Sequence, residues 1–324
     1  MPSKAFSDLA DSVTSRGLCR LCGACALICP VDVIRVSPAK AELVGECISC
    51  GLCSAVCPVI NEPPVFKPRK IMLAKPKESP PRFKTCGTTT TILSQLLSRG
   101  AVDAVLVSRM EGEVSPHSYL ASSTGEVRAA GGVNYFSFGH LQALKQPMKE
   151  GKRIAVVGVG CCIEGLRHVA SKSRAYSKSA KYSIGVFCSA QLDRERMLGL
   201  LEDRGVSANQ VTSIDIRGAR ARIAREAGGE LVVSLSELNA AKRRCCAFCL
   251  DLDNVSADIS IGEMGAPDGF VVLLARTEAG EEILDLSKDV LQMREVTDEV
   301  LLKAHAAVSR KSNSLAKLRR AEPI

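Results

Sequence analysis

Two matched cysteine motifs in the first sixty residues constrain this chain more than any other feature. The first reads Cys19-x2-Cys22-x2-Cys25-x3-Cys29-Pro30, and the second repeats that spacing from Cys47 to Pro58. In this run, three thiolates surround one cubane while the fourth cysteine ligates the other of two [4Fe–4S] clusters. Structural zinc sites draw on paired CxxC motifs instead, so the spacing favours clusters. It predicts two sets of cluster ligands. The first cysteine set is Cys19, Cys22, Cys25 and Cys57. The second cysteine set is Cys47, Cys50, Cys53 and Cys29.

Chain length and composition limit the class of protein in which these motifs can occur. The chain has 324 residues and 15 cysteines, and a chain of this size buries a core without disulfides, so the cysteines indicate metal or redox chemistry. No signal-peptide pattern and no membrane-length apolar run are present, so we expect a cytoplasmic protein with no transmembrane segment, at most peripheral to a membrane complex. The net charge is +8, but the basic residues are scattered and aromatics make up only 4%, so we expect no nucleic-acid partner.

Composition divides the chain into three parts. Residues 1–60 are expected to form a small α+β domain of the bacterial ferredoxin type with two [4Fe–4S] clusters. Residues 61–85 hold six of the fourteen prolines and seven basic residues, which predicts an extended linker with one short strand, Lys70–Ala74. Residues 86–324 alternate helical and strand patterns, which predicts an α/β (α+β) core domain that ends in a helix.

The hydrophobic pattern places the elements of this core. Helices are expected at Thr91–Arg99, Phe138–Met148, Gln191–Arg204 and Asp298–Arg320. Strands are expected at Val102–Val107, Arg153–Val159, Tyr182–Phe187, Val211–Ile216, Arg220–Ile223, Leu231–Val233, Asp258–Ile261, Phe270–Arg276 and Glu282–Leu286.

Seven further cysteines lie in the core, and four of them suggest another cluster. Cys161 and Cys188 each follow a predicted buried strand, and ligands gather at the carboxyl ends of strands in an open α/β sheet. Cys246 and Cys249 add a pair on one loop. The alternative is that these thiols pack as small hydrophobic groups, and Cys161 and Cys162 compete for one ligand position. We predict that a third cysteine set holds a third [4Fe–4S] cluster, and its members are Cys161, Cys188, Cys246 and Cys249. Cys86, Cys162 and Cys245 are expected to remain unligated.

A series of short motifs follows the linker in a characteristic order. They are Cys86-Gly87-Thr88-Thr89, Val157-Gly158-Val159-Gly160-Cys161-Cys162, Ile184-Gly185-Val186-Phe187-Cys188, Cys246-x2-Cys249-x-Asp251, Ala257-Asp258-Ile259-Ser260-x-Gly262-Glu263 and Arg276-Thr277. Over roughly residues 70–300, this order resembles the coenzyme F420 hydrogenase/dehydrogenase β-subunit family. The chain departs from the family pattern where a Pro and a Gln of its P-C-Q motif are Gly160 and Cys162, and where a Gly-Gly pair is Gly87-Thr88.

The resemblance implies a cofactor and a chemistry that the composition does not reveal. Family members bind FAD, exchange hydride with the deazaflavin coenzyme F420 and pass single electrons through iron–sulfur clusters. The resemblance therefore implies an F420-dependent oxidoreductase subunit with F420 as hydride partner and redox partner subunits in a larger complex, such as a hydrogenase, a heterodisulfide reductase or a membrane dehydrogenase. Two alternatives remain, namely the same fold with another two-electron acceptor, and an electron-wiring subunit with no substrate of its own.

Seven residues are the expected FAD contacts. Thr88, Thr89 and Thr90 lie in the N-cap region of the helix expected at Thr91–Arg99, where they either donate to the pyrophosphate or simply cap the helix. The loop with Gly262, Glu263 and Gly265 either approaches the flavin ring or forms a tight turn, and the family match favours the ring. Arg276, on a buried strand, needs an acidic side chain or a phosphate as partner. No acid or base residue is assigned, because hydride chemistry belongs to the cofactors.

Overall fold

The computed structural model describes residues 6–78, 87–112, 114–132, 134–217, 220–226 and 228–321, with the backbone alone for residues 217 and 312–321. Its helices are α1 (Phe6–Leu9), α2 (Ala24–Ile28), α3 (Leu52–Ala55), α4 (Thr88–Ser98), α5 (Thr124–Ala129), α6 (Lys145–Lys149), α7 (Gly160–Lys172), α8 (Arg174–Ser179), α9 (Arg194–Glu202), α10 (Leu235–Ala240), α11 (Glu278–Ser287) and α12 (Asp298–Ala321). A π-helical turn lies at Ala10–Thr14, and 3-10 turns lie at His140–Leu144, Ala208–Gln210 and Arg244–Phe248. Cys86 lies outside the described residues.

The strands form three sheets. They are β1 (Ile34–Val36), β2 (Ala41–Leu43), β3 (Lys70–Pro76), β4 (Ala104–Glu111), β5 (Ser115–Ala121), β6 (Ile154–Gly158), β7 (Ala180–Val186), β8 (Val211–Arg217), β9 (Arg220–Arg225), β10 (Glu230–Ser234), β11 (Ile259–Gly262), β12 (Val271–Ala275) and β13 (Leu291–Glu295). The largest sheet has the order β13-β3-β12-β11-β7-β6-β4-β5, while β1-β2 and β10-β9-β8 form small antiparallel sheets.

Four parallel strands form the centre of the largest sheet. Strand β4 pairs in parallel with β6, β6 with β7, and β7 with β11. Helices cover this part of the sheet, so its strands carry continuous apolar runs, and Ile154, Ala155 and Val156 of β6 are fully buried. Antiparallel strands extend the sheet on both sides. The four parallel strands consequently end along one edge, which is the usual place for a binding site in such a sheet.

The expected α/β (α+β) core behind a ferredoxin-like region is confirmed, but three expectations about its elements need correction. The predicted strand at Glu282–Leu286 is wrong, because α11 covers it: Thr277 caps that helix by accepting from the Gly280 amide at 3.2 Å, and Ile283 and Leu284 turn into the core. The helix expected at Phe138–Met148 begins later, as a 3-10 turn after Gly139, whose φ of 60° is left-handed. The strand expected in the linker is longer and pairs with β12 and β13 inside the core sheet.

The N-terminal region packs directly against the core. Ala24, Leu27 and Val56 share one buried hydrophobic cluster with core residues that include Leu141 and Ile163. The Gly139 amide donates to the Leu21 carbonyl at 2.8 Å, and the Leu141 amide donates to the Cys22 carbonyl at 3.0 Å. The two regions are therefore joined by apolar burial and by main-chain hydrogen bonds.

No helix in the described part of the chain combines the length and the apolar character that crossing a bilayer requires.

Candidate functional site

The first cysteine set surrounds one small cavity. Cys19, Cys22, Cys25 and Cys57 line it together with Pro58. The backbones of Leu21, Ala24 and Ala26 hydrogen-bond the thiols of Cys19, Cys22 and Cys25 in turn, which favours their thiolate forms, although burial is the larger influence and raises the pKa of all three thiols. The fourth cysteine thus comes from the second motif, as the crossed pattern predicts.

The second cysteine set surrounds a separate cavity. Cys47, Cys50 and Cys53 line it together with Cys29 from the first motif. This site lies nearer the surface than the first, since Cys50 is exposed and Cys47 is only half-buried.

The loops of both motifs bend in the same unusual way. Leu21 and Ser49, at matching positions, have φ values of 54° and 53°, and Gly23 and Gly51, two residues later, have φ values of 90° and 75°. A left-handed conformation costs a non-glycine residue about 1–2 kcal/mol, and such strain concentrates at ligand-holding loops. The repeated strain indicates that each loop is shaped to curl around a bound group.

The core brings the third cysteine set together from three separate segments. Cys161 lies in the first turn of α7, Cys188 follows β7, and Cys246 and Cys249 lie in and after one 3-10 turn. Burial and the thiols of the other three members raise the pKa of Cys188 to about 12. The Gln191 amide donates to the Cys246 sulfur at 3.3 Å. These four thiols are the donor set that a [4Fe–4S] cluster requires.

The neighbouring cysteines Cys161 and Cys162 have different surroundings. A hydrogen bond with the Cys162 thiol lowers the pKa of Cys161, and the nearby Cys246 thiol acts on Cys161 more weakly in the opposite direction. Cys162 is fully buried in the hydrophobic cluster around Ile163. Cys245 is also buried, at the start of the 3-10 turn. The packing therefore favours Cys161 as the ligand of the pair.

None of the three sets is arranged around a single point. Within the described ranges, no three His, Cys, Asp or Glu side chains are placed to hold a single metal ion. A cubane is a larger body than an ion and needs its four thiolates spread around it. The cavities of the first two sets have their cysteines distributed in that way.

The first and third cysteine sets are neighbours across α7. The Cys161 thiol contributes to the raised pKa of Cys22, after burial itself. Gly165 makes this approach possible, because a Cβ there would lie 2.9 Å from Ala24 Cβ and 3.3 Å from Cys22 Sγ. Arg20 donates to Glu164 at 2.5 Å, and the two side chains are 18% and 2% exposed. Burial raises the pKa of the Glu164 carboxyl to about 7 despite this cation.

A larger cavity, the strand-end cavity, opens at the carboxyl ends of the parallel strands. Its volume is about 450 Å³, within the usual range for small-molecule sites. Its walls are the start of α4, part of β4, the ends of β6, β7 and β11 with the residues that follow them, the segment between α5 and His140, and part of β8. Cys188 belongs to one wall, so the cavity and the third cysteine set share a residue.

Five of the seven expected FAD contacts line the strand-end cavity, namely Thr88, Thr89, Thr90, Gly262 and Glu263. Gly265 and Arg276 do not line it. Gly265, with φ of 84°, lies against α12, where a Cβ would approach the Val300 carbonyl to 2.9 Å. Arg276 donates through Nη2 to the Asp253 carboxylate at 2.6 Å, so an acidic side chain is one partner of this guanidinium.

Two wall residues that the sequence did not reveal also shape the strand-end cavity. Phe187 lies on Gly262, where any Cβ would fall 2.1 Å from its ring. His140 bonds the Ser118 hydroxyl and the Val157 carbonyl, each at 2.8 Å, and burial lowers its pKa to about 4. The imidazole is therefore neutral at physiological pH, with Nε2 as the donor to Val157. Only the folded chain reveals these roles, because neither residue's role follows from motif spacing.

Comparison with known proteins agrees with this architecture. Residues 71–145 match the N-terminal model of the coenzyme F420 hydrogenase/dehydrogenase β subunit, and residues 151–299 match its C-terminal model. The chain belongs to this family. A 4Fe-4S binding domain matches residues 13–35, which include the first cysteine motif, and this supports [4Fe–4S] chemistry there. The similar proteins include a subunit of an F420H2 dehydrogenase and β subunits of coenzyme F420 hydrogenases.

Individual relatives share most of the chain. A subunit of the F420H2 dehydrogenase of Methanosarcina mazei is 28% identical, over 87% of this chain and 86% of that protein. The coenzyme F420-dependent sulfite reductase of Methanocaldococcus jannaschii is 27% identical, over 88% of this chain but 48% of that longer protein. A chain of the F420-reducing [NiFe] hydrogenase complex from Methanosarcina barkeri shares the fold, with a TM-score of 0.69, 20% identity, and coverage of 79% of this chain and 92% of that one.

Proposed function

We propose that this subunit exchanges hydride between coenzyme F420 and bound FAD, and passes single electrons through three [4Fe–4S] clusters to a partner complex. One observation carries the proposal: Cys188 belongs both to the wall of the strand-end cavity and to the third cysteine set. A two-electron carrier in that cavity would lie against the first one-electron site.

The strand-end cavity fits a flavin by its lining. Its volume of about 450 Å³ is bounded by backbone, threonine and glycine at the start of α4 and in the loop after β11. The α4 N-terminus offers main-chain amides and the positive end of a helix dipole, which suit a pyrophosphate. Gly262 leaves room for the Phe187 ring in the wall. When bound, FAD would accept two electrons as hydride and release them singly.

The relative positions of the three cysteine sets support an electron relay. The third set borders the strand-end cavity, the first set adjoins the third across Gly165, and the second set shares the crossed motifs with the first. The thiols would hold the clusters, and Cys22 of the first set and Cys161 of the third set belong to or pack against one hydrophobic cluster. The exposed Cys50 marks the second set as the exit toward a partner.

The names of the relatives suggest which complex the partner belongs to. We propose a hydrogenase, a heterodisulfide reductase or a membrane dehydrogenase, with this subunit in the cytoplasm or peripheral to the membrane. Relatives named as subunits of an F420H2 dehydrogenase and of coenzyme F420 hydrogenases support this range.

Flavin binding and F420 oxidation are tested together in anaerobically purified protein. The proposal expects a visible flavin absorbance that reduced F420 bleaches. If the protein binds flavin but reduced F420 leaves it oxidised, another two-electron acceptor is the substrate. If the protein binds no flavin, the chain is an electron-wiring subunit without its own substrate.

Cluster number is tested by iron and sulfide analysis. Three clusters require about twelve iron per chain, and Cys249→Ser should lose about four of them. Cys162→Ala is the matched control, because that cysteine packs in the hydrophobic cluster and should leave iron unchanged. About eight iron in the wild-type protein, with no loss in Cys249→Ser, would refute the third cluster.

A further inference from the structure

The C-terminal helix α12 extends across the core to the third cysteine set. Val300 and Ala307 are buried on its inner side, and its backbone near Val300 and Ala304 packs against Gly265 of the loop after β11. These contacts set the course of the helix from its first turns. They bring Lys311, near the middle of α12, to the loops that carry two of the core cysteines.

Lys311 makes three contacts at that point. Its Nζ donates to the Cys188 carbonyl at 2.8 Å, donates to the Asp251 carbonyl, and lies 3.8 Å from the Cys249 sulfur. The Cys188 loop follows β7 and the Cys249 loop follows a 3-10 turn, so the two are far apart in sequence. One ammonium group thus bridges the two loops and places its charge beside a thiol of the set.

We propose that Lys311 is a positioning residue of the third cluster, which clamps the two ligand loops and raises the reduction potential of the cluster. The inference rests on the proposed third cluster. Four thiolates make a cluster site negative, and reduction adds one more negative charge. A fixed cation nearby therefore stabilises the reduced form more than the oxidised form.

The other charges around the third set do not replace Lys311. Arg20 also acts on Cys161 and Cys249, but it lies on the side of the first cysteine set and is paired with Glu164. Arg243, just before the 3-10 turn, acts on Cys246, and Lys242 acts on Cys246 and Cys188. Among these four cations, Lys311 is the one that donates to the carbonyls of both ligand loops, so its removal is expected to change geometry as well as charge.

Lys303 supplies a matched control on the same helix. It pairs with Glu299 at 2.6 Å, and its side chain is 61% exposed. Lys303→Met therefore removes the same charge and the same side-chain length from α12 without touching the cysteine loops. Lys311→Arg keeps the charge and should keep the potential.

The test is a redox titration of the anaerobic holoprotein, followed by electron paramagnetic resonance. The signal lost in Cys249→Ser assigns the third cluster. Lys311→Met should weaken reduction of that cluster about tenfold, which corresponds to a potential lower by about 59 mV for one electron. Chelator-induced iron loss from the third site should also be faster in Lys311→Met, while Lys303→Met and Lys311→Arg behave as wild type.

The outcomes separate this inference from the function proposed above. A wild-type protein with no third signal overturns the cluster and this inference with it. A third signal with the same potential and the same iron loss in Lys311→Met and Lys303→Met overturns the role of Lys311 and leaves the cluster intact.

Discussion

Replacing Arg20 by methionine should destabilise the protein above neutral pH by leaving a buried carboxylate without its cation. The Arg20–Glu164 pair is short, 2.5 Å, and Glu164 is only 2% exposed. Removing one partner of a buried ion pair costs about 3–5 kcal/mol when the other partner keeps its charge, whereas replacing both partners is often nearly neutral. Glu164 has a pKa of about 7, so protonating it at pH 8 costs only about 1.4 kcal/mol, and this limits the loss. At about 2 °C per kcal/mol for a chain of this size, Arg20→Met should lower the unfolding temperature by about 3 °C at pH 8.

The loss should depend on pH because Glu164 can escape its penalty by taking up a proton. Burial already raises its pKa to about 7, above the value near 4.5 of an exposed carboxyl. Without Arg20 that folded-state pKa rises further, so the folded protein binds more protons than the unfolded chain. Stability is then retained at acidic pH and lost as pH rises through the folded-state pKa, and the deficit should be larger at about pH 8 than at about pH 6.

Calorimetry of the anaerobic holoprotein measures this, with three comparisons. Arg16→Met controls for charge, since Arg16 is exposed in the same segment and should shift the unfolding temperature by less than about 1 °C. Glu164→Gln combined with Arg20→Met should recover most of the loss. If the double variant is as unstable as Arg20→Met at both pH values, the uncompensated carboxylate is not the cause and the reasoning fails.

Three further substitutions probe the packing between the regions and the cavity wall. Lys145→Met should lower the free energy of unfolding in urea by about 2–4 kcal/mol, because the buried Lys145 ammonium donates to the Cys29 carbonyl at 2.7 Å. Lys149 is exposed, so an equal loss in Lys149→Met would contradict this. Gly262→Ala should reduce flavin content in the purified protein, because its Cβ would force the Phe187 ring aside, and unchanged flavin content would argue against that wall. Gly165→Ala should cost about 1–3 kcal/mol of stability by overpacking, and Gly165→Val should cost more. If the alanine and valine variants are equally stable, α7 can shift freely.

The parts of the site that the sequence predicts are those encoded by local spacing. The crossed cysteine sets follow from one repeated motif, and the structure places their members around two cavities. The third set follows from combining strand ends with a CxxC pair, because Cys161 and Cys188 come after adjacent parallel strands. In each case a local pattern and one general rule of sheet geometry are enough.

The parts that sequence reasoning missed depend on contacts between distant segments. Alternating apolar residues around Ile283 fit a strand as well as a helix, and only the cap at Thr277 and the packing of α11 decide between them. The partner of Arg276 is Asp253 on a loop, which no spacing rule identifies. His140 lines the strand-end cavity because a 3-10 turn after Gly139 presents it there.

The hydrophobic cluster shared by Ala24, Leu27 and Ile163 has a consequence for the rate of electron transfer. A ferredoxin-like module on a flexible tether would have to swing into contact before each transfer, and its turnover would then depend on solvent viscosity. Here the module is fixed to the core by burial and by the amides of Gly139 and Leu141. The distances between the three cysteine sets are therefore fixed when the chain folds, and electron transfer among them would not require a hinge motion.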